Sequence, residues 1–238
     1  VEEGLRELFP AHFLVRLDRD STQRKGTLEK YLEQINSGEA RLILGTQMLA
    51  KGHHFPNVTL VAVIDVDGGL FSVDFHAGER LAQTLVQVAG RAGRADKPGR
   101  VILQTRQPQH PLLQTLIAQG YRQFAQAALV ERREALLPPF SHQALLRAQA
   151  GDTETAMQFL HKAADWVNPG SGAALQVLGP VAAPMEKRAG LYRYQLLFQS
   201  TSRSELQLCL SQLLPELEGF PQAKKLRWSL DVDPVDLY

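Results

Sequence analysis

One cysteine, Cys209, occurs in 238 residues. No intrachain disulfide and no Cys-rich zinc site can form within such a chain, and this sparing use suits a reducing, cytoplasmic setting. Long apolar runs are missing as well: none approaches the roughly 18 residues that a membrane-spanning helix needs. Charge of one sign is not in excess. Lys and Arg number 26 against 25 Asp and Glu, a formal +1. That balance excludes a histone-like polycation and an acidic disordered tail, and it leaves specific nucleic-acid binding open. The start, Val1-Glu2-Glu3-Gly4-Leu5, has no Met, basic cluster or apolar stretch of the kind a signal peptide carries. It reads as the middle of a helix, and the chain is expected to be a piece of something longer. No long internal repeat and no disordered tract is evident.

What is present is an ordinary globular composition. Apolar residues make up 44% and charged residues 21%, enough to bury a core. Strand and helix signals alternate through the first part. Leu5, Leu8 and Phe9 suit a short helix, and Phe13–Leu17 a strand. Leu28, Tyr31, Leu32 and Ile35 share one face of a helix that stops at Asn36-Ser37-Gly38. Short β-branched runs at 41–45 and 58–64, a helix over 79–89 and a strand over 100–104 complete the parallel α/β pattern. A long helix is expected over 110–137, ending at Pro138-Pro139, where no helix continues. That Pro pair divides the chain into domains of residues 1–137 and 138–238.

The second part restarts in a different order. A strand over 145–150 precedes a helix over 153–167 with Ala156, Leu160, Ala163, Ala164 and Val167 inward. Strands follow at 175–178 and 191–199. Ser202-Arg203-Ser204-Glu205 is a capping box opening a helix with Leu206, Leu210, Leu213, Leu214 and Leu217 on its core face. A strand over 226–232 closes a β-α-β-β-α-β order, the ferredoxin-like signature.

The sharpest chemical signal is Gln87-Val88-Ala89-Gly90-Arg91-Ala92-Gly93-Arg94. Two arginines, each preceded by a glycine that lets backbone pack or turn closely, sit near a helix end. Guanidinium forks suit phosphate oxygens and the charge that develops in phosphoryl transfer. An isolated Gly-Arg pair would be a solvated helix end; the full string after an α/β run is more specific. The second signal, Gly45-Thr46-Gln47-Met48-Leu49-Ala50-Lys51-Gly52-His53-His54-Phe55, begins where a parallel strand ends. Ligands bind there in open sheets. Thr46 offers a hydroxyl and Lys51-Gly52 a charge beside a turn, although a helix-capping Thr in a plain loop would look similar. His53 and His54 lack an evident third ligand and do not read as a metal site. Asp65 and Asp67 could hold Mg²⁺ or order water, but beside Gly68-Gly69 they read better as a turn or an interdomain contact. Phe71 and Phe75 read as core or interface residues.

These strings together resemble the PriA family of bacterial replication-restart helicases in superfamily 2. The similarity rests on AKGHHFPNVTLV, DFHAGERLAQTLVQVAGRAGRA, Leu230-Asp231-Val232-Asp233-Pro234, Pro138-Pro139-Phe140 and Val177-Leu178-Gly179-Pro180. It implies the second RecA-like helicase lobe followed by a smaller ferredoxin-like α+β domain. By that resemblance Arg91 and Arg94 are arginine fingers toward ATP, positioned by Gln87 and Gly90. Thr46, Lys51 and Gly52 belong to the motif that couples DNA-backbone contact to ATP closure. His54 stands where many relatives carry an acidic residue near the ribose. ATP and Mg²⁺ are expected mainly on a first lobe outside this chain, and zinc only in a preceding Cys-rich segment. No G-x-x-x-x-G-K-[ST] string occurs in these 238 residues, so the chain alone is expected not to hydrolyse ATP.

The second part carries less local chemistry. Lys187, Arg188, Arg193, Lys224, Lys225 and Arg227, interleaved with Tyr192, Tyr194 and Trp228, resemble a DNA-binding surface; they equally suit a solvated sheet edge. Basic and acidic residues count 17 to 15 through Leu137 and 9 to 10 after it, so DNA binding there must rest on a local patch. Arg203 and Gln207, one turn apart at a helix start, suit a carboxylate. The resemblance offers the acidic tail of single-stranded-DNA-binding protein as that partner, against ordinary surface. It further implies 3′-to-5′ unwinding at abandoned replication forks, primosome proteins as partners, and a cytoplasmic, nucleoid-associated location without a membrane. The rival readings are a RecG-like or other superfamily 2 translocase lobe, and a non-catalytic module that docks DNA or protein.

Overall fold

The computed structural model describes residues 1–18, 26–45, 55, 57–72, 74–90, 99–167 and 175–237. The chain divides into two compact units, Val1–Ser72 with Ala77–Ala125, and Val73–His76 with Gln126–Tyr238.

In the first unit a short helix, α1 (Glu2–Leu8), precedes strand β1 (Phe13–Leu17). The strand buries Leu14, Val15 and Leu17. Helix α2 (Thr27–Asn36) lays Leu28, Tyr31, Leu32 and Ile35 against Val15, Leu17, Ala40 and Phe55. It ends at the anticipated punctuation, with the Ser37 amide donating to the Glu33 carbonyl at 2.8 Å. Strand β2 (Ala40–Gly45) then runs parallel to β1, Leu17 opposite Gly45. Strand β3 (Leu60–Val63) and strand β4 (Arg100–Leu103) form a second parallel pair. Between them lie α3 (Asp67–Leu70) and α4 (Ala77–Ala89), which buries Ala82 and Leu85. The parallel pairings are those the alternating pattern predicts. β3 is shorter than the apolar run because the Val58 amide turns back to the Phe55 carbonyl at 3.2 Å. At the other end Asp65 adopts φ 57° and stops the strand.

The long helix expected over 110–137 is two helices, α5 (Pro111–Gln119) and α6 (Tyr121–Glu134). Gly120 separates them at φ 86°, ψ −178°, a region essentially closed to residues with a Cβ. The apolar periodicity continues through the break, which is why the sequence reads as continuous. α6 ends earlier than predicted, with Leu136 at φ 50° ahead of the Pro pair.

The second unit contains strand β5 (His142–Ala150), helix α7 (Thr153–Val167), strands β6 (Leu175–Arg188) and β7 (Leu191–Ser200), helix α8 (Arg203–Gly219) and strand β8 (Arg227–Val232). A short 3₁₀ turn, Pro221–Lys224, precedes β8. The sheet order is β6-β7-β5-β8, antiparallel throughout, as the ferredoxin-like signature requires. Alternation puts Ala144, Leu146, Ala148, Leu196 and Phe198 on the face covered by both helices. α7 buries the five predicted residues and Phe159 as well. α8 buries Leu206, Leu210, Leu213 and Leu217, whereas Leu214 is exposed, since the 100° helical step carries it past the core stripe. The capping box forms by half: Ser202 Oγ accepts from the Glu205 amide at 3.3 Å.

β6 runs far beyond the predicted stop at Leu178. Gly179-Pro180 is an irregularity within an edge strand, where the pairing register shifts between Leu178 and Val181. A Cβ on Gly179, at φ 109°, would sit 3.1 Å from both the Gln195 carbonyl oxygen and the Val181 nitrogen. On the sheet's other face Gln143 donates to Gln199 at 2.6 Å between buried side chains. The chain's last residues return there. The Asp233 amide donates to Gln143, and Arg147 reaches Asp231 at 3.0 Å and the Asp236 carbonyl at 2.9 Å. Replacing Gly120 by Ala is expected to cost about 1–3 kcal/mol of stability. A Cβ there meets nothing within 4 Å, so the cost is backbone alone; an unchanged urea midpoint would contradict the assignment.

Candidate nucleotide and DNA site

The arginine-rich string begins on α4. Ala82 and Leu85 fix its inner face, while Gln87 and Gly90 are exposed at its C-terminal end. The Gly90 amide still donates to the Val86 carbonyl at 3.0 Å, so the helix persists to that point. A Cβ at Gly90 would lie 3.5 Å from the Val86 oxygen, an ordinary contact. Among the described residues, close approach does not demand this glycine. Arg91 and Arg94 lie outside the described residues. One turn apart and nearer the start of α4, Gln83 donates to the Tyr121 hydroxyl at 3.1 Å, and that hydroxyl donates to Glu79 at 3.3 Å. The same stripe of the helix leads to Gln87.

Thr46, Lys51, Gly52 and His54 also lie outside the described residues; what flanks them is clear. Gly45 ends β2 in register with Leu17, which places Thr46 directly after the C-terminal end of a parallel strand. On the far side Phe55 is buried in the cluster formed by Val15, Leu17, Ile35 and Ala40. Both ends of the segment are thus anchored.

Asp67 is a structural clamp. Its carboxylate accepts from the Thr105 hydroxyl and from the Arg106 amide at 2.8 Å, tying the segment after β3 to the segment after β4. The Thr105 bond, then the Arg106 amide, hold its carboxyl below the ordinary value of 3.8. With both partners drawn from the protein, Asp67 is committed to the turn, and Asp65 takes the left-handed conformation beside it. No group of three His, Cys, Asp or Glu able to hold a metal exists among the described residues. Cys209 is half-buried, and burial pushes its thiol up, the opposite of what a zinc ligand needs. Phe71, expected in a core or an interface, is 58% exposed, with the edge of the His110 ring 5.4 Å away between centroids; that exposure excludes the core reading.

In the second unit the basic residues do not form one cluster. Lys187 and Arg188 end β6 at one edge of the sheet, whereas Lys224, Lys225 and Arg227 lie at or just before β8, the other edge. Three strand spacings, about 14 Å, separate those edges. The interleaved aromatics are engaged. Trp228 and Tyr194 pack on the helix-covered core, and the Tyr194 hydroxyl donates to Glu186 at 2.8 Å. Tyr192 carries the Lys187 ammonium 4.5 Å above its ring. Period-two alternation alone determines this, since these aromatics share the inward parity of Leu196 and Leu230. Arg203 opens α8, exposed, with its guanidinium 3.9 Å from Asp233; Gln207 is exposed one turn later.

Two residues escaped the sequence reading. Arg147 sits in an unremarkable strand, and Arg132 in the charged run Glu131-Arg132-Arg133-Glu134, within the helix expected over 110–137. Arg132 instead donates to the Phe75 carbonyl at 3.2 Å and lies 4.9 Å over the Phe75 ring. Only long-range pairing reveals it.

A parallel α/β unit bearing these motifs, followed by a ferredoxin-like sheet, is the arrangement of a helicase C-terminal lobe with an appended domain. Residues 13–96 match the helicase conserved C-terminal domain, and residues 133–235 match the primosomal protein N C-terminal domain. The chain is 54% identical to replication restart protein PriA of Haemophilus influenzae over all 238 residues, 32% of that protein's length. It is 38% identical to the Bacillus subtilis protein of the same name over 98% of this chain and 29% of that one, and 35% identical to the Synechocystis protein over 100% and 28%. The chain belongs to the PriA family and spans about a third of the length of these relatives.

Because Asp67 is held below its ordinary value, its contribution to stability is present above about pH 4 and lost as pH falls through the depressed value. Asp67→Asn should lower the urea midpoint at pH 7, with a smaller difference from the parent near pH 3. A gap that stays constant between those two pH values would refute the clamp.

Proposed function

We propose that this chain is the arginine-finger side of a DNA helicase motor and carries a DNA- and partner-docking domain behind it. In the longer protein it would serve 3′-to-5′ unwinding at abandoned forks and primosome assembly. The observation that carries the reading is the string from Gln87 to Arg94 continuing α4, in a chain of the PriA family whose residues 13–96 match a helicase lobe. Bound ATP supplies the phosphoanhydride that is cleaved. Arg91 and Arg94 place positive charge where phosphoryl oxygens gain negative charge, and Gln87 and Gly90 hold them in register. Thr46, Lys51 and Gly52 contact the DNA backbone, and His54 lies toward the nucleotide.

ATP and Mg²⁺ are assigned mainly to a lobe outside these residues, because Asp65 and Asp67 do not fit a metal. Zinc is assigned outside them too, since Cys209 does not fit it either. Lys187 with Arg188, and Lys224 with Lys225, are two separate phosphate contacts rather than one stacking platform. Arg203 and Gln207 are the site offered to the acidic tail of single-stranded-DNA-binding protein. No helix among the described residues is long and apolar enough to cross a membrane, and a cytoplasmic, nucleoid-associated location follows from the proposed work on DNA.

In the full-length protein Arg94→Ala should lower DNA-stimulated ATP hydrolysis by about 10³-fold or more, with DNA affinity retained by filter binding. Undiminished turnover would remove the finger assignment. Arg203→Ala should weaken an acidic tail peptide, read by fluorescence anisotropy, without altering ATP hydrolysis; equal affinity would overturn that site.

A further inference from the structure

Helix α8 opens with Arg203, and the chain that leaves β8 passes beside it. The Arg203 guanidinium stands 3.9 Å from the Asp233 carboxylate. At this helix start the Glu205 amide is used by Ser202 Oγ at 3.3 Å and the Leu206 amide by the Ser202 carbonyl at 3.2 Å. Attraction for a carboxylate there falls chiefly on the Arg203 side chain, and a carboxylate of the chain itself already lies toward it.

Asp233 is held there by its backbone. Its amide donates to the Gln143 carbonyl at 2.9 Å, its φ is 53°, and Pro234 directly after it is buried. Arg147 grips the segment on both sides, through the Asp231 carboxylate at 3.0 Å and the Asp236 carbonyl at 2.9 Å. All of these groups belong to the second unit. The fold thus delivers a carboxylate to Arg203 at a local concentration set by the chain rather than by the solution.

We propose that Asp233 is a built-in competitor for Arg203: it stands in for an incoming carboxylate and so sets how acidic a peptide must be to dock. A ligand with one carboxylate offers Arg203 little that it does not already have. A peptide with several neighbouring carboxylates can place one on Arg203 and another on the amide donor of Gln207, one turn further along α8. Selectivity for clustered acids then comes from a competing element as well as from an attractive one. Both side chains of the pair are exposed, so the pair is weak and competition tunes affinity without closing the site. This inference rests on the docking reading of Arg203 given above.

The test uses the full-length protein with Asp233→Asn, Asp233→Gly, Arg203→Ala, and Asp233→Asn combined with Arg203→Ala. Asn and Gly both accept the left-handed backbone of residue 233, so melting temperatures should match the parent's. The probe is a fluorescein-labelled acidic tail peptide of single-stranded-DNA-binding protein. It is titrated by anisotropy at low salt, which keeps weakened complexes in range. Expected is binding about two- to fivefold tighter in both Asp233 variants, and no gain from Asp233→Asn once Arg203 is replaced. An equal gain with and without Arg203 marks a general charge effect and overturns the inference. Unchanged or weaker binding in both Asp233 variants, while Arg203→Ala loses affinity, overturns it alone. Parent-like affinity in Arg203→Ala overturns the docking reading and the inference together.

Discussion

Parallel pairing is the constraint on which the first unit depends. A parallel strand cannot follow its neighbour through a tight turn; the chain must cross over and re-enter at the same end. Every segment leaving β1 and β2, or β3 and β4, therefore departs on the same side of its pair. Gly45 hands over to Thr46 there. Asp67 meets Thr105 and Arg106 there, and their hydrogen bonds fasten two departures to each other. β2 thus ends, at Gly45, on the side where ligands bind in open parallel sheets.

The second unit obeys the opposite rule. Its antiparallel sheet has one face covered by α7 and α8, so strict alternation decides which side chains are spent on the core. Tyr194 and Trp228 fall on the covered parity and are used for packing. The basic residues gather near strand ends, where alternation no longer binds them, and the order β6-β7-β5-β8 sends them to two edges. The result is two separate basic groups at opposite edges rather than one interleaved basic–aromatic surface.

Much of this was legible from the residues. Hydrophobic period and punctuation locate α2, α7 and β1 nearly to the residue, since Asn36-Ser37-Gly38 and the inward residues agree locally. The ferredoxin-like order follows from the element sequence alone. What could not be read falls into two physical classes. Gly120 and Gly179 occupy conformations that interrupt or kink an element without disturbing its apolar pattern, so a pattern-based reading runs through the first and stops early at the second. Arg132, Arg147 and Asp67 act through partners 57, 84 and 38 residues away, and no local signal encodes a contact of that range. The candidate site divides the same way. Its motifs are strings and visible as such, whereas the grip on the segment before α4 is a matter of packing.

The near-neutral charge takes its meaning from the same contacts. Arg6 and Arg16 are matched by Glu2 and Asp18, Arg147 by Asp231 and Asp236, and Arg203 lies toward Asp233. Several cations are thus committed to holding the fold, most plainly the one that latches the chain's last residues to the sheet. A chain that binds and releases DNA as proposed would be poorly served by a uniform positive field, because affinity for phosphates rises steeply with each added contact. These pairs keep the positive field among the described residues small. Under the function proposed above, a grip limited to a few contacts could be broken and remade at each turnover, whereas a surface of uniform charge would hold a strand through every step.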